Sequence, residues 1–255
     1  IFNLNFSTDF EKYIARLADS NMIMGQRLSE LCSKGPYLEE DIAISNIALD
    51  YLGQANMLYE LLKKAGGDKH SVDDYVFHRN ERNYYNLLLV EQDNGHFGKT
   101  MAKIFLYSTY QKILYSYLSK STDDDIKAIA LKSIKEVDYH FKHSRAWVLR
   151  LGDGTQESKV KIQDSIYELW RFTGEMFESD DVENNLISEN IISASNTYYD
   201  EWSKIVKETL QEALLTEPVN VVMLSGGKKG LHTEKLGFML AEMQYLPRTY
   251  PNAKW

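Results

Sequence analysis

Four long stretches of this chain run without a proline, and three of them stop at glycine or proline signals. Asp9 to about Ser33 ends before Gly35-Pro36, and Leu38 to Ala65 ends before Gly66-Gly67. Phe97 to Ser119 follows the turn Asp93-Asn94-Gly95, and Ile126 to Leu151 ends at Gly152-Asp153-Gly154. Uninterrupted segments of this kind read as helices, and Thr8 with Glu11 gives the first a capping-box signature. Long helices bury their apolar faces against one another, so the chain is expected to be all-α with strand content close to nil.

The remaining elements are shorter. A helix is expected near Asn80 to Val90, a fifth long helix from Lys159 to Phe177 and a sixth from Ser195 to Leu215. Glu178 to Asn190 carries too few apolar residues for a core element. Val219 to Leu224 reads as extended, and a final short helix runs to about Leu246. The acids of Thr122-Asp123-Asp124-Asp125 lack an Asp-x-Asp-x-Asp-Gly calcium loop and read as first-turn partners of the helix dipole. No repeat or linker splits the chain, so one domain is expected over 1–255, with a bundle core at about 9–151 and further helices and a tail at about 159–255.

With 44% hydrophobic residues over 255 positions, such a domain can bury about three quarters of its unfolded surface. A net charge of −8 argues against a nucleic-acid or anionic-membrane surface. Cys32 stands alone, so no internal disulfide is possible and a reducing cytoplasm is expected. Ile1 to Phe6 lacks the features of a signal peptide, and no apolar run approaches the length of a membrane span. The 17 Tyr, 10 Phe and 4 Trp suit either core packing or a protein interface.

At about 100° per residue, Glu136, His140, His143 and Trp147 stack in one column bordering the apolar stripe of the fourth helix. An acid beside histidines suggests a di-metal four-helix protein, in which hard cations need a Glu from each of two helices and a Glu-x-x-His pair from each of the other two. In such a ferritin-like bundle the first helix offers Glu30 and the second Asp50, but Gly53 stands where histidine belongs and the neighbouring Gln54 is a poor ligand. On the fourth helix Tyr139 occupies the position three after Glu136, and His140 falls one residue late. The third helix has no Asp or Glu from Phe97 through Thr122, which no shift of register can repair. The ligand positions are therefore degenerate. Glu30, Asp50 and Glu136 are expected to find Arg27, Lys103, His140 or His143 as partners in a buried polar network.

Near the C-terminus, Gly226-Gly227-Lys228-Lys229-Gly230-Leu231-His232-Thr233-Glu234 is either a surface turn or a backbone cradle for an anion, with Lys228 and Lys229 adding charge. It lacks the residue order of a nucleotide P-loop. This tail, continuing into Ala241-Glu242-Met243-Gln244-Tyr245-Leu246, resembles the C-terminus of the family formed by the C subunits of phenylacetyl-CoA epoxidase (phenylacetate-CoA oxygenase). Leu49-Asp50-Tyr51-Leu52-Gly53-Gln54-Ala55, Asn86-Leu87-Leu88-Leu89-Val90-Glu91-Gln92 and Leu169-Trp170-Arg171-Phe172-Thr173 are similar to the same family and spread the match over nearly the whole chain.

The resemblance implies a ferritin-like four-helix bundle with additional C-terminal helices, acting as a non-catalytic subunit of a multicomponent monooxygenase in aerobic phenylacetate catabolism. It implies that a catalytic A subunit holds the di-iron centre that epoxidises the ring of phenylacetyl-CoA, and that a reductase with FAD and a 2Fe-2S cluster draws electrons from NADPH. No catalytic residue and no cofactor is then expected on this chain, whose partners would be the A subunit, the other epoxidase subunits and the reductase. Contact of Lys228 and Lys229 with the phosphates of the CoA thioester is an expectation from charge. Two alternatives remain from the residues alone: a self-contained di-metal carboxylate oxygenase, and a ferritin-like storage or interaction protein.

Overall fold

In a computed structural model, which describes residues 6–67, 69–251 and 253, the chain is built of helices, with no strand among those residues. The expectation for Ile1 to Phe6 lies, but for Phe6, outside the described residues. Helix α1 (Asp9–Ser29) opens on the expected capping box: Thr8 Oγ1 accepts from Glu11 N at 3.1 Å, and Glu11 Oε2 accepts from Thr8 N at 2.8 Å. It ends short of Ser33, which takes a left-handed φ of 68° after a tight turn. Helix α2 (Leu38–Ala65) has the expected bounds.

The segment from Asn80 to Val90 is not the helix the sequence suggests. Helix α3 (Val72–Phe77) is followed by a single 3-10 turn at Glu81–Asn83, an extended piece, and one helical turn, α4 (Leu88–Glu91). The backbone donors of the extended piece and of the first residue of α4 are taken by side chains: Tyr85 N donates to Asp19, Leu87 N to Ser20 and Leu88 N to Glu175. Tertiary acceptors displace helical ones here, a competition invisible to local propensity.

Helices α5 (Phe97–Leu118) and α6 (Asp124–Gly152) complete the bundle. The α1/α2 and α5/α6 pairs pack most extensively, and α2 also meets α6. Helix α7 (Gln156–Trp170) begins earlier than expected because Thr155 caps it, and it stops before a separate 3-10 turn at Gly174–Phe177. The polar stretch expected to lie outside the core contains helix α8 (Asp181–Ser188), which buries Val182 and Leu186 one turn apart against α1. Two apolar residues suffice because Asp180 supplies the cap. Helices α9 (Ser195–Glu212), α10 (Glu234–Met243) and α11 (Tyr245–Thr249) follow.

Helix α5 is covered by α6, α7 and α9, and residues on every side of it are buried. Its lack of acid therefore has a packing reason: an uncompensated carboxylate there would lose its hydration. No helix among the described residues is long and apolar enough to cross a membrane.

Candidate functional site: the polar seam of the bundle and the C-terminal clamp

Each of the four long helices sends a polar side chain to the bundle centre. Asn21 of α1 donates through Nδ2 to the Tyr115 hydroxyl of α5 at 3.0 Å, and that hydroxyl donates to Gln54 Oε1 of α2 at 3.2 Å. Gln54 Nε2 then donates to Glu136 Oε2 of α6 at 2.9 Å. Asn21 Oδ1 accepts from Gln111 Nε2 at 2.6 Å and from the Tyr107 hydroxyl at 3.4 Å. Burial pushes the Tyr115 phenol above its ordinary value, so it stays protonated and able to donate. The result is a largely neutral amide and phenol chain that ends on one partly buried carboxylate.

The residues singled out as degenerate ligands do not converge. Glu30 pairs with Arg27 at 2.9 Å, whose other nitrogens hold the backbone oxygens of Glu91 and Lys235. Asp50 meets His140 Nε2 at 3.0 Å, and the imidazole lies against Tyr51 with ring centroids 4.7 Å apart. Lys103 does not pair directly with any of the three acids; it donates to Gln92 O at 2.6 Å and Asn94 Oδ1 at 3.1 Å. Its burial, with the Arg27 guanidinium nearby, pulls the ammonium down to about 7. His143 Nε2 lies 3.0 Å from Glu40 Oε2 as an ion-pair approach without hydrogen-bond geometry, and Glu40 Oε2 accepts from Trp147 Nε1 at 2.9 Å.

Gly53 is exposed with nothing within 4 Å of an added Cβ, and Tyr139 is 45% exposed. The inward phase of α6 runs through Ser133, Val137, His140, Ser144 and Val148, so His140, and not Tyr139, faces the bundle. Among the described residues no group of three or more His, Cys, Asp and Glu is arranged to hold a metal ion.

The glycine-rich tail forms a second, charged site. Glu175 Oε1 accepts from Gly226 N at 2.9 Å and Lys228 N at 3.2 Å, while its Oε2 accepts from Leu88 N at 2.8 Å. The turn, read from sequence as either a surface turn or an anion cradle, is thus a cradle filled by the chain's own carboxylate, whose pKa burial raises. Lys228 Nζ bonds Glu183 Oε1 at 2.8 Å and Glu178 O at 2.7 Å, whereas Lys229 is exposed. Gly227 and Gly230 serve close approach: a Cβ on either would lie 2.2 Å from the carbonyl oxygen of Asn86 or Arg82.

Beyond that turn, His232 Nδ1 lies 2.9 Å from Glu91 Oε2 and Nε2 lies 2.8 Å from Tyr84 O. Both neighbours accept, so both ring nitrogens donate and the buried imidazole is an imidazolium. Thr233 adds two bonds of 2.7 Å to Glu91 Oε1, and Asn86 Nδ2 one of 2.9 Å to Oε2. Sequence reasoning missed Glu91, Glu175 and His232 as a unit. For Glu91 and His232 the available signal is that both lie in motifs the family resemblance rests on, Asn86 to Gln92 and the C-terminal tail; Glu175 lies in none of them.

The helices and their polar centre define a ferritin-like bundle. A model of the phenylacetic acid catabolic protein family matches residues 5–255, and the chain belongs to that family. It is 44% identical over 245 residues to the C subunit of 1,2-phenylacetyl-CoA epoxidase from Escherichia coli (strain K12), covering 95% of this chain and 98% of that protein.

Proposed function

We propose that this chain is a structural, non-catalytic subunit of a cytoplasmic multicomponent monooxygenase that epoxidises phenylacetyl-CoA, and that it stabilises a catalytic A subunit holding the di-iron centre. Electrons would reach that centre from a reductase using FAD, a 2Fe-2S cluster and NADPH. The observation that carries the reading is the chemistry of the bundle centre. Amides and phenols of Asn21, Gln54, Gln111 and Tyr115 with the single carboxylate of Glu136 do not fit a pair of hard cations, which need several carboxylate oxygens to offset their charge.

A docking role is supported by the outer face of α2, where Leu38, Ile42 and Leu49 are exposed in line with Gly53, and by Leu131 and Tyr139, which are exposed on α6. A mid-helix glycine costs about 1 kcal/mol relative to alanine and has no packing reason within this chain. It leaves room for a neighbouring subunit's backbone. Of the two lysines expected to meet CoA phosphates, Lys229 is the candidate contact, because Lys228 is held by Glu183.

Co-expression with the candidate catalytic subunit tests the reading. The expected result is a stable hetero-complex in which the partner is more soluble and melts higher than when expressed alone. A partner unaffected by this chain, with no complex on size measurement, contradicts it.

A further inference from the structure

Between α1, α5 and α8 lies a cavity of about 20 Å³ whose wall includes Tyr13, Arg16, Asn21, Gln111, Glu183 and Lys228. Three atoms of wall residues, Arg16 Nε, Gln111 Oε1 and Glu183 Oε2, are buried and have no hydrogen-bond partner among the described residues. All three residues are more than nine-tenths buried, at 7%, 2% and 6% exposure. They are also held in place by their other atoms. Arg16 bonds Asp180 at 3.0 and 2.5 Å, Gln111 Nε2 bonds Asn21 at 2.6 Å, and Glu183 Oε1 bonds Lys228 at 2.8 Å. None can swing away to find another partner without breaking a bond it already makes.

The orphan set is one donor and two acceptors, carried by three residues that line a single small cavity. Each such atom left unsatisfied costs about 1–3 kcal/mol, so the native state gains by satisfying all three at once. An anion would face the Glu183 carboxylate, and a cation would face Arg16 and Lys228. An apolar occupant would satisfy none of the three. Water alone among small occupants accepts from the guanidinium N–H while donating to both oxygens, and the cavity has room for about one molecule.

We propose that this cavity is a structural water site in which one ordered water bridges Arg16 Nε, Gln111 Oε1 and Glu183 Oε2. The water extends the central chain of Asn21, Tyr115, Gln54 and Glu136 outward to Glu183 and Lys228. It thereby joins the neutral seam to the charged tail in one hydrogen-bonded line across the bundle. The site serves cohesion between α1, α5, α8 and the tail, and it stands whether or not the subunit role proposed above holds.

A crystal structure of the full chain, alone or in complex, at about 1.8 Å or better tests the proposal, together with a xenon-pressurised crystal of the same form. The expected result is a single water peak within hydrogen-bond distance of at least two of the three atoms, with no xenon at that position. A dry cavity, a peak touching fewer than two of them, xenon occupancy, or an ion with an anomalous signal overturns it.

Discussion

The seam at the bundle centre and the clamp at the C-terminus are both buried and polar, yet they are built from opposite materials. The seam links four helices through side-chain amides and phenols, so no member depends on a single counter-charge. The clamp fastens the tail with carboxylates, Glu91 on the His232 imidazolium and Glu175 on three backbone N–H groups. A neutral network tolerates the loss of one bond. A buried charge that loses its partner is left uncompensated, and that asymmetry ranks the expected effects of substitution.

The largest break is expected from Glu91→Ala, which strands the His232 cation at a position where both side chains are fully buried. It should cost about 3–5 kcal/mol in denaturant unfolding. Glu175→Ala leaves the N–H groups of Leu88, Gly226 and Lys228 without their acceptor and should cost about 2–3 kcal/mol. Tyr115→Phe breaks two hydrogen bonds of the seam but strands no charge, and should cost about 2 kcal/mol by the same measurement. A cost for Tyr115→Phe equal to that of Glu91→Ala would erase the distinction between the two regions.

Acidity sharpens the comparison further. The Glu91 carboxylate and the Tyr84 carbonyl hold the His232 pKa above its ordinary 6.5 despite the opposing cost of burial. The folded state therefore binds that proton more tightly than the unfolded chain. The stabilisation is complete below 6.5 and is lost as pH rises through the higher folded value. The stability difference between the protein and His232→Gln should accordingly shrink as pH is raised from about 6 to about 9. Tyr115→Phe should show a gap that is flat over the same range. The smallest effect on folding is expected from Lys229→Ala, within about 0.5 kcal/mol of the parent. In the assembled complex it should raise the apparent KM for the CoA thioester, and an unchanged KM removes Lys229 as a phosphate contact.

The two regions also differ in how far they could be read from the residues. The long helices were legible because their signals are local: the Thr8 and Glu11 capping box, the Gly66-Gly67 stop and the Asp123 to Asp125 start all act within a turn or two. Charge alone names Arg27, Lys103, His140 and His143 as a pool of partners for Glu30, Asp50 and Glu136 without assigning pairs; the structure pairs Arg27 with Glu30 and His140 with Asp50, while Glu136 meets the neutral Gln54 and Lys103 meets no acid of the three. The seam is harder to read, since Gln54 and Asn21 carry no charge and Gln54 is a poor metal ligand. The 80–90 segment failed because its backbone donors are captured by Asp19, Ser20 and Glu175, which lie far away in sequence. The clamp is illegible for the same reason: the glycine turn reads as either a surface turn or an anion cradle, and nothing local says that Glu175 fills it.

Iron counting on each chain, after the co-purified complex is separated into its subunits, bears most directly on the account. The neutral seam predicts that iron follows the catalytic partner and that this chain carries a negligible amount. About two irons per copy of this chain, the complement of a di-metal bundle, would contradict it.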